Sequence, residues 1–305
     1  VHISGFVSPK VEKAIYPSEQ SKWLTETGYM VDVTAPFSES EIPRFIEELK
    51  KALRKRVEVG LKLLDSKWDM TFFVVTGTDR IGHYLWDAYE NTRNQYHDDF
   101  IESLRLVDEA IGQIIESFPE NTALMMLSDH GMTTSGTAYN INTLLKEEGY
   151  LSVEDKTESN YNAIRANSRA FAAETNKIYL NTEARFPRGS VKSSERVDLE
   201  DEIRDLLTSV RIGGRRVVKT VFTKEEIFDG PYSSEAPELV ALPEDGFSFK
   251  TGLFSKYLST VDRLQGRHTE DDAFLYLRGA DDLDEFTHLE SALLALRTQY
   301  GGLKL

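Results

Sequence analysis

The stretch "TFFVVTGTDRIGHYLWDAYE", residues 71–90, changes character at its centre, and the reading of the fold begins there. From Thr71 to Val75 the side chains are strand formers, and from Arg80 onward they read better as a helix. The spacing therefore predicts a strand over 70–76, a turn between Thr76 and Asp79, and a helix beyond. Asp79 and His83 stand four residues apart. If the helix begins at the aspartate, both side chains point to one side of it.

Working outward, "SESEIPRFIEELKKALRKRVEVGLKLL" sets Ile42, Phe45, Ile46, Leu49, Leu53, Val57, Leu61 and Leu64 at helical spacing. Ser40 is its expected N-cap, and its lysines and arginines are expected to form the wet face. After the opening stretch, "DDFIESLRLVDEAIGQIIESF" repeats the pattern through Phe100, Leu104, Val107, Ile111, Ile114 and Phe118. A short apolar run in "TALMMLSDHG" then stops at Asp129 and His130. Helix, strand, helix, strand in this order predicts an α/β fold, a three-layer α/β/α sandwich around a mostly parallel mixed sheet. Ligands of such sheets collect at the carboxyl ends of the strands, where Asp79 and Asp129 are expected.

The middle of the chain reads differently. "NKIYLN", the loop "TEARFPRGSV", a helix around 197–209 and the strand-like "RRVVKTVFTKEEIF" suggest a lobe carried by the core. The expected organisation is a core from 1–150, an inserted lobe over 151–228, and a return to the core over 229–305. "APELVALPE" and "DDAFLYLRG" are expected as return strands to the main sheet and "HLESALLALRTQY" as a closing helix.

Composition narrows the function. With 51 acidic against 36 basic residues and a formal charge of -15, the surface disfavours nucleic acid or an anionic membrane as a partner. Phosphate chemistry on such a chain needs bound cations to make a pocket locally positive. The absence of cysteine excludes thiolate catalysis, disulfides and cysteine zinc sites. No apolar run of about 18 residues and no signal-peptide pattern is present, so the cytoplasm is the expected compartment. The chain starts at Val1, which fits a processed or incomplete amino end.

Five oxygen or imidazole donors, Asp79, His83, Asp129, His130 and His268, fall at three separated strand or loop ends. That donor set suits a hard or borderline cation such as zinc or manganese. A lone DxxxH or DH pair more often caps, packs or faces solvent. The joint pattern is stronger, because only His2, His97 and His288 of the six histidines lie elsewhere.

The order of "TGTDRIGHYLW", "LSDHG", "NINTLLKEEGYL", "KIYLNTEARFPRGSV", "EEIFDGP", "APELVAL" and "GRHTEDDAFLYLRG" resembles the alkaline phosphatase superfamily, specifically its type I phosphodiesterase and nucleotide pyrophosphatase branch. The resemblance covers nearly the whole chain. It implies two divalent metal ions, commonly zinc, with Asp79, His83 and His268 around one and Asp129 and His130 contributing to the other. It also implies a small phosphate-containing substrate and hydrolysis of a phosphate ester or phosphodiester. Two cations about 4 Å apart can hold attacking and leaving oxygens in line while neutralising the phosphoryl charge.

One family feature has no match here. Family members carry an upstream strand ending in a metal-binding aspartate and a loop with the attacking threonine or serine, whereas "VHISGFVSPK" resembles sequence downstream of both. The expectation is a parent enzyme whose isolated 1–305 segment is inactive. Thr76, Thr78, Thr133, Thr134 and Ser135 are better read as turn residues than as substitute nucleophiles. A phosphomutase, a sulfatase or a metal-binding domain without turnover are the alternatives.

Other polar groups have two readings each. Arg80 suits either phosphate or a salt bridge. Asn142 is expected to cap, Arg185 and Gly189 to shape a turn or meet substrate, and Trp86, beside Tyr84, to pack in the core.

Overall fold

The 23 residues Ile42–Leu64 fold into one helix, as their spacing predicts, and around it the first half of the chain is organised. The computed structural model describes residues 1–5, 10–120, 122–154, 161–260 and 263–278, with single positions at 291 and 294. In chain order these hold β1 (His2–Ile3), β2 (Ile15–Tyr16), α1 (Ser21–Glu26), α2 (Ile42–Leu64), α3 (Gly77–Glu90), α4 (His97–Glu116), β3 (Met125–Leu127), β4 (Met132–Thr134) and β5 (Thr137–Asn140). There follow α5 (Ile141–Glu147), β6 (Ala170–Glu174), β7 (Lys177–Leu180), α6 (Arg196–Ser209), β8 (Arg211–Ile212), β9 (Arg215–Arg216), β10 (Val218–Thr223) and α7 (Lys224–Ile227). The last strands are β11 (Leu239–Pro243), β12 (Phe247–Lys250), β13 (Leu258–Thr260), β14 (Gly266–His268) and β15 (Leu275–Leu277). The class is α/β with mixed sheets: β5 pairs with β12 in parallel and with β13 antiparallel. The expected closing helix and His288 lie outside the described residues, apart from the two single positions.

The chain divides into two compact units, Val1–Thr133 with the chain from Arg263 onward, and Thr134–Asp262. In the first, α2 buries Phe45, Ile46, Leu49 and Ala52 against Ile81, Leu85 and Ala88 of α3 and Phe100 of α4. Ser40 is not the cap. A 3-10 turn over Glu39–Glu41 leads into α2, so the free N–H groups lie further upstream, and the Glu41 carboxylate accepts from Phe37 N (2.6 Å) and Ser38 N (3.2 Å). Lys50 departs from the wet face. It is only 5% exposed, because Glu102, with Glu47 and Asp99 at 3.5 Å, gathers around its ammonium. Its burial opposes the charge, but these carboxylates outweigh it and raise its pKa.

The run expected as a strand over 70–76 carries no ladder among the described residues. Met70, Phe72 and Val74 face solvent, while Phe73 fills the space beside Gly60 of α2. Arg56 stands in for a neighbouring strand by donating to Val74 O (3.2 Å), Thr76 Oγ1 (2.8 Å) and Val31 O (3.1 Å). The other apolar run forms β3, which pairs antiparallel with the expected strand β15.

In the second unit, β10, β11, β7 and β6 make an antiparallel sheet in that order. The "APELVAL" strand is β11, between β10 and β7. Leu199, Ile203 and Leu207 form the buried stripe of α6, and each contributes about 1.5–3 kcal/mol when fully buried. Asn142 is no cap. Asn140 caps α5 by accepting from Thr143 N (3.0 Å), whereas Asn142 is wholly buried and ties α5 to β6 and to the stretch after β12. Its amide donates to Ala172 O (2.8 Å) and Thr251 O (2.6 Å) and accepts from Ala172 N (2.8 Å).

Candidate metal centre

Helix α3 starts at Gly77, so Asp79 sits in its first turn, where the positive end of the helix dipole favours a carboxylate. One turn later His83 projects from the same side. The Asp79 Oδ1 to His83 Nε2 distance is 3.3 Å. His268, at the end of β14, reaches the same oxygen at 3.0 Å and stands 2.9 Å from His83, Nε2 to Nε2. The ligand atoms of these three residues lie within 4.8 Å of one another. His130 adds a fourth group: its Nε2 is 3.8 Å from Asp79 Oδ1, and its ring stacks on that of His268 at 3.5 Å.

Asp129 is placed differently. It is 85% exposed, and its Oδ2 meets His130 Nε2 at 3.5 Å. Four of the five candidate donors therefore converge around Asp79 Oδ1, with Asp129 on the outer side of His130.

Two backbone carbonyls set the direction of the imidazoles. His83 Nδ1 donates to Gly266 O (2.9 Å) and His130 Nδ1 donates to Gly131 O (2.8 Å). A carbonyl can only accept, so Nδ1 carries a proton in both rings and Nε2 is the atom turned inward. Burial works to raise the Asp79 carboxyl, but hydrogen bonds from His268 and His83 outweigh it and hold it well below the ordinary carboxylate range. The hydrogen bond to Asp79 raises His83 in turn, against the effect of burial.

The pattern of donors was legible in the sequence; the glycines that let them meet were not read there. A Cβ on Gly266 would lie 2.4 Å from Gly82 O, so α3 and β14 approach at a distance only glycine allows. A Cβ on Gly131 would meet Thr269 Oγ1 and Asp272 Oδ2, each at 2.6 Å. The available signal was a glycine next to His83, next to His130 and two residues before His268.

The remaining polar residues have other partners. Arg80 forks onto Asp32, with Nε to Oδ1 at 3.2 Å and Nη2 to Oδ2 at 2.6 Å. Arg185 donates to Ala236 O (2.7 Å) and to Glu235 O and lies over the Tyr179 and Phe186 rings, while a Cβ on Gly189 would lie 2.1 Å from Thr182 O. His97 donates to Ala88 O at 2.8 Å. Trp86 packs against Tyr89 and Phe100, and Tyr84 sets its edge against Phe45.

Comparison with known proteins gives this arrangement its setting. The model of a family described as type I phosphodiesterase / nucleotide pyrophosphatase matches residues 6–270. Ectonucleotide pyrophosphatase/phosphodiesterase 1 of Saccharomyces cerevisiae is 32% identical over 93 residues, 28% of this chain and 12% of its own length. The crystal structure of phosphonoacetate hydrolase from Sinorhizobium meliloti 1021 with phosphonoacetate aligns at a TM-score of 0.58 and 16% identity, covering 96% of this chain and 64% of that one. Its complex with phosphonoformate aligns at 0.49 and 15%, covering 91% and 59%. At this identity the likeness to the phosphonoacetate complex is one of fold. The chain spans less than two thirds of the length of each of these relatives. The family match takes in every donor of the cluster and most of both units, and the chain belongs to the type I phosphodiesterase / nucleotide pyrophosphatase family.

Proposed function

We propose that this chain carries the metal-binding part of a hydrolase of phosphate esters or phosphodiesters. The observation that supports it best is the convergence of Asp79, His83 and His268. Two imidazole nitrogens 2.9 Å apart, each within 3.3 Å of one carboxylate oxygen, gather three donor atoms that a single cation can bridge. One carboxylate and two imidazoles is a borderline donor set, which fits zinc first and manganese second.

In this reading Asp79, His83 and His268 hold one divalent ion, and Asp129 and His130 contribute to a second. Bound ions would supply the positive charge that a phosphoryl group in transfer needs, in a chain whose net charge is otherwise -15. The protein's own part is to keep the Nε2 atoms turned inward through the Gly266 and Gly131 carbonyls, where a cation would displace the proton that His83 shares with Asp79. The attacking hydroxyl is assigned, by resemblance, to a segment ahead of the motifs present here, so turnover belongs to the longer parent protein.

The test uses an aryl phosphodiester and phosphonoacetate side by side, on the parent protein and on residues 1–305, with and without chelator. Chelator-sensitive release of the phenol by the parent, with negligible turnover by 1–305, is the expected outcome. Robust turnover by 1–305 would overturn the assignment of the hydroxyl. Phosphate released from phosphonoacetate alone would move the reaction from P–O to P–C cleavage. Tight metal binding by a parent that turns over neither compound would leave a metal-binding domain.

A further inference from the structure

The loop that presents His130 and the strand that presents His268 are joined by a side chain that is itself no metal donor of the cluster. Thr269 follows His268 directly. Its Oγ1 accepts from Gly131 N at 3.0 Å, and its own backbone N–H donates to Gly131 O at 3.3 Å. Gly131 O is the atom that accepts from His130 Nδ1. One residue thus grips both ends of Gly131, and through its carbonyl sets the tautomer and direction of the His130 ring. The fit is close: a Cβ on Gly131 has no room beside Thr269 Oγ1 and Asp272.

We infer that Thr269 is a positioning residue, which locks the His130 imidazole in its Nδ1–H form and couples the His130 loop to the His268 strand. Its role in metal affinity rests on the reading given under Proposed function; the tautomer lock does not. Removing the hydroxyl leaves Gly131 N without its acceptor at a half-buried position. The peptide ahead of Gly131 is then free to turn, and with only the Thr269 N–H left to hold the carbonyl on the far side of the glycine Cα, rotation about the Gly131 φ draws that carbonyl off Nδ1. The stacked rings make the consequence specific, since His130 and His268 lie 3.5 Å apart and a turned His130 cannot keep both its stacking and its inward lone pair.

The experiment compares Thr269→Val, which keeps shape and removes the acceptor, with Thr269→Ser, which keeps the acceptor. In the metal-free 305-residue chain, imidazole nitrogen NMR reads the His130 tautomer. The expected result is a single Nδ1–H form in wild type and Thr269→Ser and a mixture in Thr269→Val. Zinc titration then reads the coupling. Thr269→Val is expected to weaken binding about 10–100-fold, as loss of a residue that orients a ligand does, and Thr269→Ser to retain wild-type affinity.

A cycle with His130→Ala separates positioning from mere folding, because Thr269→Val should cost nothing further once His130 is gone. An unchanged His130 tautomer in Thr269→Val, equal losses in Ser and Val, or full additivity in the cycle would each overturn the inference. Failure of the wild-type chain to bind zinc, with the tautomer result as expected, would overturn the metal reading and leave the positioning role standing.

Discussion

At the scale of single residues, the centre depends as much on atoms that are absent as on donors that are present. Gly266 allows β14 to touch the backbone of α3, and a methyl group there must push the strand off Gly82 O, 2.4 Å from its Cβ. Gly266→Ala is therefore expected to move His268 out of reach of Asp79, lower zinc affinity by at least about tenfold, comparable to the loss of a ligand-orienting contact, and lower the unfolding midpoint. His97→Ala changes a histidine whose Nδ1 serves Ala88 O, away from the cluster, and zinc affinity should stay at the wild-type value. A zinc titration of both variants checks the pair. Wild-type affinity in Gly266→Ala would show that the glycine contact is not what brings His268 to Asp79.

At the scale of elements, the second unit is held by charges its sheet buries. Glu238, 3% exposed beside β11, accepts from Leu180 N at 2.9 Å and faces Arg185 at 3.5 Å and Lys224 at 3.6 Å. Glu238→Ala leaves two cations and an amide without their shared partner, and the expected cost is about 3–5 kcal/mol. Denaturant unfolding measures it, and a loss below about 1 kcal/mol, the level of a surface pair, would show that the network is not what holds the sheet.

Glu200 on α6 gives the second unit a pH signature. Burial raises its carboxyl pKa, and the Arg196 guanidinium 3.2 Å away recovers only part of the shift. Glu225 and Glu238 add to the rise, and Lys224 opposes it. A carboxyl whose folded value is raised stabilises the fold fully below its unfolded value near 4.3, and that contribution is lost as pH rises through the folded value. Glu200→Gln should flatten the fall in stability that begins above about pH 4.3. Melting curves of both proteins across that window decide it, since parallel pH profiles would mean Glu200 is not the titrating group.

At the scale of the whole molecule, distant parts of the family match meet in one cluster: Asp79 lies 189 residues before His268, its hydrogen-bond partner. Three donors are close enough to grip an ion, whereas Asp129 is 85% exposed beside His130. After dialysis the 305-residue chain should therefore retain one zinc tightly and a second weakly. Free zinc at about 100 times the dissociation constant should add about 2.7 kcal/mol of stability, and chelator should remove it. Elemental analysis and melting with and without metal check this. Two tightly held equivalents would show that the Asp129–His130 pair is a stronger site than its exposure suggests.

The sequence by itself determined the family, the helices with their buried stripes and which aspartates and histidines are the candidate donors, because helical periodicity and an aspartate four residues before a histidine are local patterns. It did not decide which strands pair. The apolar run over 70–76 has the composition of a strand, yet ladders need a neighbour, and Arg56 meets Val74 O and the Thr76 hydroxyl instead. Nor could it show that Asn140 caps while Asn142 crosses to Ala172 and Thr251, since both asparagines suit a helix start by composition. The glycine contact of Gly82 with Gly266, and the Thr269 grip on Gly131, join segments well over a hundred residues apart. Such contacts exist only once tertiary packing has brought two backbones together, and tertiary structure alone decided them.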